Sequence, residues 1–248
     1  VAEAAAMPPK RGMARMALLA LLALLPFAFA VLGFWQVERR AWKLDLIARV
    51  DARVHADPVP APGPTVWPSI SAASSEYRRV SLSGRYLPAA GTLTKAVTGR
   101  GPGFWLIAPF RDERGFTVLV NRGFLPEGQM APAGPSSARR VTGLLRLSEP
   151  GGGFLRSNDP AAGRWYSRDV AAIAQARGLG EQGPGEVAPY FVDADAASEP
   201  GPSPQGGMTV IAFRNTHLIY ALTWFALMAM SLWALGFVWR GRRGDVDV

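Results

Sequence analysis

Two uncharged apolar runs, one near each end of the chain, constrain the fold more than any other feature. Residues 16–36 read MALLALLALLPFAFAVLGFWQ, and residues 218–239 read LIYALTWFALMAMSLWALGFVW. At 1.5 Å per helical residue, a run of about 20 residues matches a hydrocarbon core of roughly 30 Å. Leu, Ala, Met and Phe dominate both runs. Aromatic residues gather at the rims, Trp35 in the first and Tyr220, Trp224 and Trp239 in the second, the pattern of a membrane-interface belt. Both runs are expected to be membrane-spanning helices, because buried core helices rarely run this long without a charge.

Charge sets the expected orientation. Lys10, Arg11 and Arg15 precede the first run, and Arg240, Arg242 and Arg243 follow the second. The positive-inside rule then keeps both tails cytoplasmic. The expected division is a tail at 1–15, a span at 16–36, an extracytoplasmic domain at 37–216, a second span at 217–239 and a tail at 240–248. A net charge of +8 does not argue for nucleic acid here, because the large domain faces away from the cytoplasm. A basic start, an apolar core and Ala28-Phe29-Ala30 also resemble a cleavable secretory signal. Against cleavage, the apolar run continues past Ala30 through Trp35 with no intervening polar region.

Between the runs, the helical pattern continues over 37–54, where Trp42, Leu46, Val50 and Val54 recur at four-residue spacing. The proline-rich stretch 57–64 ends it and reads as a linker. Residues 77–86 alternate as a half-buried strand, and the runs 104–110 and 116–123 flank a short Gly-containing turn as a hairpin. Further strands are expected at 141–147, 187–195 and 208–213. A short helix is expected at 169–177, N-capped by Asp169 and ended by Gly178. The elements predict one α+β domain with a mainly antiparallel sheet between two transmembrane α-helices.

Most catalytic chemistry is absent. With no cysteine there is no disulfide framework, thiolate metal site or covalent c-type haem attachment. Two histidines, His55 and His217, cannot build a His-rich cage. No G-x-S-x-G elbow, H-E-x-x-H, EF-hand loop or P-loop occurs. Residues 178–183 match G-x-G-x-x-G but follow a helix pattern, where a dinucleotide fingerprint requires a strand. Asp112-Glu113 and Asp193/Asp195 read as solvated turn and strand-end residues, and His55 as a surface residue.

His217 stands at the rim of the second run, three residues after Arg214. On a helix, Tyr220, Ala221, Trp224 and Met228 share its face. An ionisable side chain there is either a functional group or an interfacial residue reaching water. Imidazole is the usual protein ligand to haem iron, and arginines are natural partners of haem propionates.

At these residues the chain resembles the Surfeit-locus cytochrome c oxidase assembly proteins in their bacterial form. Residues 33–43, GFWQVERRAWK, are similar to the family's Gly-x-Trp-Gln-x-x-Arg-x-x-Trp-Lys. Gly84-Arg85-Tyr86 matches its Gly-x-Tyr strand. Residues 103–126 match its hairpin ending in Val-Asn-Arg-Gly-aromatic-x-Pro. Asn158-Asp159-Pro160 precedes Trp165 and Asp169. Residues 214–225, RNTHLIYALTWF, match its Asn-x-His-Leu-x-Tyr-x-x-Thr-Trp-Phe. Thr216 stands where most members carry Asn, a departure that bears on a hydrogen bond near His217 and not on the imidazole itself.

The resemblance implies a non-enzymatic assembly factor in the cell inner membrane that binds haem a transiently and presents it to cytochrome c oxidase subunit I. Haem a synthase is a further implied partner, and the lipid bilayer the surroundings. His217 is the implied axial ligand to the haem iron. Tyr220, Thr223 and Trp224 are expected to line the haem, with Trp35 and Gln36 facing them from the first helix. Arg39, Arg40 and Arg214 are expected to meet the propionates, unless they are ordinary anchors to lipid headgroups. Asn121-Arg122-Gly123 is expected to be structural, with Gly allowing a tight turn and Arg pairing inside the sheet. The rival reading is a haem-independent chaperone that holds an oxidase assembly intermediate.

Overall fold

The computed structural model describes residues 10–88, 91–153, 155–180, 186–211 and 213–244. The molecule divides into two compact units. One holds helix α1 as far as Ala48 together with the C-terminal helix, and the other is Arg49–Ile211. Helix α1 runs over Lys10–His55 without a break, so the helix does not stop where the apolar run does. Its 46 residues correspond to roughly 70 Å, more than twice a hydrocarbon core. The C-terminal helix covers His217–Gly244. Leu19–His55 and His217–Phe237 are long and apolar enough to cross a membrane.

The sheet-rich unit contains β1 (Val59–Pro60), a 3₁₀ turn (Pro64–Ser69), α2 (Ala72–Ser75), β2 (Arg79–Tyr86), β3 (Thr92–Thr98), β4 (Gly101–Asp112), β5 (Thr117–Pro126), β6 (Arg139–Leu147), α3 (Val170–Ala176) and β7 (Val187–Ala194). The C-terminal helix is therefore α4. Strands run in the order β1-β2-β6-β7-β5-β4-β3, and β2 also pairs with β4. That extra pairing closes β2, β6, β7, β5 and β4 into a ring, so the edges left to the sheet are on β1 and β3. β4 serves two neighbours in turn. Its first half pairs with β3 and its last residues with β2.

The sheet is mixed. β1–β2 and β5–β7 are parallel, and the other five pairings among the described residues are antiparallel. Period-two alternation sorts the side chains between two cores. Val118, Val120, Val141, Leu145, Tyr190 and Val192 belong to the first. Leu119 and Phe191, one residue out of step, join Trp165, Val170 and Ile173 in the second, which helix α3 covers. The α3 N-terminus forms as expected, with the Asp169 carboxylate accepting from the Ala172 amide at 3.1 Å.

Two glycines of the sequence motifs are required by close approach. A Cβ on Gly84 would sit 1.9 Å from the Arg111 carbonyl oxygen, so only glycine lets β2 meet β4 at the closure. Gly123 has φ +131° and would place a Cβ 2.1 Å from the Gln205 oxygen. The neighbouring Arg122 is buried in a pair with Glu199, Nη2 to Oε2 at 3.0 Å, and the Tyr86 hydroxyl donates to the same carboxylate at 2.8 Å. Burial, reinforced by the charge and hydrogen bond of Glu199, pushes the Tyr86 hydroxyl far above its ordinary range, so it stays a donor. The expected pairing of Arg122 inside the sheet is thus realised through Glu199, but Gly123 makes no tight turn: it lies within β5, where it admits the Gln205 backbone.

Three expectations need correction. Residues 208–211 and 213 are irregular, not a strand. Both edges of β7 are already taken by β5 and β6, so no ladder remains for the run. Val210 is 82% exposed, and the Thr209 hydroxyl is tied to the sheet, donating to Asp193 at 2.9 Å. Strand β3 was not foreseen, because TLTKAVT carries few large apolar residues. Asp112 and Asp193 are buried rather than solvated. Asp112 accepts from the Arg114 Nε at 2.7 Å. Asp193 accepts from Asn121 at 2.7 Å, from Arg146 at 3.1 Å and from Arg168 at 3.4 Å. Of the G-x-G-x-x-G match, positions 181–183 lie outside the described residues, and Gly178 and Gly180 follow α3. His55 is exposed, as expected.

Two stability outcomes follow. Gly84→Ala is expected to lower stability by about 3 kcal/mol, read from urea unfolding, because the added methyl meets backbone and not a movable side chain. The second concerns Glu149, which is paired with Arg168. Burial alone would raise its carboxyl, but the hydrogen bonds and charge of Arg168 hold it below the usual range. A depressed folded pKa stabilises fully above the unfolded value, about 4.3 for glutamate, and the gain disappears as pH falls through the folded value. The urea midpoint is therefore expected to drop on acidification below that range, and Glu149→Gln is expected to flatten the drop.

Candidate functional site

Helices α1 and α4 pair along one face of each. On α1 the covered positions include Pro26, Gly33 and Gln36, with Phe29 partly covered, three or four residues apart as one helical stripe demands. On α4, Ala221 is buried, while His217, Trp224, Phe225 and Met228 are partly covered. The contacts run in opposite order along the two chains, so the helices are antiparallel. Phe29 stacks on Trp224 with ring centroids 5.7 Å apart. Phe34 meets Phe225 edge-on at 5.4 Å. A Cβ on Gly33 would lie 2.6 Å from the Phe225 ring, so the glycine is what admits that ring between the helices. Gln36 meets His217, Nδ1 lying 2.7 Å from the amide oxygen.

His217 thus turns its imidazole toward α1 and not outward. It is the first residue of α4, and the carbonyl of Thr216 accepts from the Ile219 and Tyr220 amides at 3.1 and 3.3 Å. Among the described residues, no group of three or more His, Cys, Asp or Glu side chains is placed to hold a metal ion. Any coordination chemistry at this crossing would rest on one imidazole.

The other residues singled out from the sequence fall into two sets. Gln36 and Trp224 lie in the pairing face with His217. Trp35 and Tyr220 are each 53% exposed, on neighbouring faces of their helices. The Thr223 hydroxyl donates to the Ile219 carbonyl of its own helix at 2.9 Å. The Arg39 guanidinium lies 3.9 Å from the centre of the Trp42 ring, a cation–π arrangement, and Arg214 is exposed. Sequence reasoning missed three participants. Phe29 has no place in the sequence motifs, while Phe225 and Lys43, whose ammonium lies 4.8 Å from the Phe213 ring centre, are motif positions with no site role assigned from sequence. Stepping from Gln36 at helical spacing reaches Gly33 and Phe29 in one direction and Lys43 in the other, so the face of α1 was there to be extended.

The pairing depends on shape at Gly33. Gly33→Val is expected to separate the helices. The absence of cysteine gives a clean measurement: a short bismaleimide should link Phe29→Cys to Trp224→Cys in the otherwise unchanged chain, and mass spectrometry should show the link lost when Gly33→Val is added.

The chain is similar to known proteins over most of its length. The SURF1 family profile matches residues 23–229. Surfeit locus protein 1 of Homo sapiens is 33% identical, covering 90% of this chain and 78% of the human protein. The Mus musculus protein of the same name is 33% identical over 88% of this chain and 75% of its own length. That of Takifugu rubripes is 33% identical over 88% of this chain and 95% of its own. With its sequence motifs distributed over the helix pair and the closed sheet, and a match of this extent, the chain belongs to the SURF1 family.

Proposed function

We propose that this protein is a membrane-held assembly factor for haem-copper cytochrome c oxidase that binds haem a transiently at His217 and presents it to the catalytic subunit I. The observation that carries the reading is the hydrogen bond from His217 to Gln36, which holds an imidazole against the neighbouring helix at the end of a long apolar segment. Family membership supports the assembly role. The two apolar helices support a place in the inner membrane, and the basic residues beyond each run support cytoplasmic termini.

The side chains at the crossing suit such a group. A neutral imidazole is the common protein ligand to haem iron. Trp224, Phe29 and Phe225 offer aromatic surface, and Arg39, Lys43 and Arg214 supply cations within about two helical turns of Gln36 and His217. When bound, haem a would supply an iron able to take an imidazole ligand and an apolar tail suited to lipid depth. His217 alone would hold the iron from this chain, and a single imidazole would favour release to a client over permanent storage. Haem a synthase is the natural donor in this reading.

The test is co-expression with the haem a pathway. The purified chain is expected to carry a haem spectrum that His217→Ala abolishes or shifts. Unchanged haem content and spectrum in His217→Ala would remove His217 as the ligand. A colourless protein that still co-purifies with subunit I would leave only the haem-independent chaperone.

A further inference from the structure

We infer that Gln36 is the positioning residue for His217, fixing its imidazole as the Nδ1–H tautomer so that Nε2 is the nitrogen offered to a metal centre. This rests on the reading of His217 as an iron ligand. The geometry is direct, since Nδ1 lies 2.7 Å from Gln36 Oε1. An amide oxygen only accepts, so the ring nitrogen facing it donates. Neutral imidazole has a single N–H, and placing it on Nδ1 leaves the lone pair on Nε2.

Gln36 is built to hold this geometry. It is 9% exposed, on the α1 stripe that faces α4, one turn from Gly33 and its contact with Phe225. A side chain covered in this way has little freedom to swing its amide away. The residue type matters as much as the place. A carboxylate in this position would bring a charge to an apolar depth, which is costly. It would also make the imidazole a stronger donor to iron, since second-shell carboxylates raise ligand basicity. An amide orients the ring without either effect. The ligand is then correctly aimed but only moderately basic, which suits a cofactor that must leave.

The bond also ties the tautomer to the helix pairing. Its donor and acceptor are 181 positions apart in sequence and meet only while α1 and α4 stay packed. A client that parts the helices would free Nδ1 and loosen the metal ligand at the same moment.

The experiment uses the full chain in detergent micelles. In the haem-free protein labelled with 15N-histidine, long-range 1H–15N correlation at about pH 8, above the ordinary imidazole range, reads the tautomer of each ring, and His55→Gln assigns the signals. His217 is expected as Nδ1–H, and Gln36→Leu is expected to move it toward Nε2–H. Titration with haem a should then show Gln36→Leu weakened by about 10–100-fold. Gln36→Glu should keep Nδ1–H and bind, with a lower haem midpoint potential, a signature that a merely structural role would not give. An Nε2–H tautomer in the unchanged chain would overturn the inference, as would Gln36→Leu binding haem a within about twofold of the unchanged chain. If His217→Ala binds haem a as tightly as the unchanged chain, the ligand reading fails, while the tautomer measurement still decides the role of Gln36.

Discussion

The sheet-rich unit is organised around one buried carboxylate. Glu199 is 7% exposed, and an ionised group so placed must be paired. Its partners come from three strands: the Tyr86 hydroxyl of β2, the Arg122 guanidinium of β5 and, at 3.8 Å, Arg139 of β6. Removing one partner of such a buried pair typically costs about 3–5 kcal/mol, because the charge left behind has nowhere to go. The Gly-x-Tyr and Asn-Arg-Gly motifs, 36 positions apart from Tyr86 to Arg122, therefore meet at a residue that neither contains. Gly84 lets the backbones approach and Tyr86 anchors the strand beside it, so closure and charge pairing occur within one strand end.

A second polar cluster works differently. Asp193, on the opposite face of β7 from Val192, collects Asn121, Arg146, Arg168 and Thr209. Arg168 also reaches Glu149, and Arg146 reaches Glu76 at 3.5 Å. The cluster ties the irregular segments before and after β7 to the sheet, where no backbone ladder is available to hold them. Asn158 does the same for the turn before α3, its carbonyl oxygen accepting from the Tyr166 and Ser167 amides at 2.8 and 3.2 Å. These motif residues shape the domain.

The helix pair follows another logic. Its contacts are a close fit of aromatic rings against each other and a glycine, with one side-chain hydrogen bond. Phe29 with Trp224, Gly33 with Phe225 and Gln36 with His217 supply a stack, a notch and a polar link on successive turns. The polar link is the one with chemical consequence, because it decides which way a histidine points and which nitrogen carries the proton.

Much of this was legible in the residues because local physics dictates it. The apolar runs specify long helices, the alternation over β2 and the β-branched and aromatic run of β5 specify strands, the β4–β5 hairpin follows from its turn, and Asp169 caps α3 because its carboxylate reaches an orphan amide. What the chain's own order could not dictate is anything that depends on which edge is free or which charge is covered. Residues 208–213 have strand-forming side chains but no vacant partner, while 92–98 have modest ones and gain the open side of β4. Asp112 and Asp193 look like solvated acids until arginines and neighbouring segments close over them. His217 and Gln36 were each visible as candidates at the rims of separate runs. The resemblance implied that Gln36 faces the second helix, but the bond itself, between residues 181 positions apart, exists only once two helices share a face.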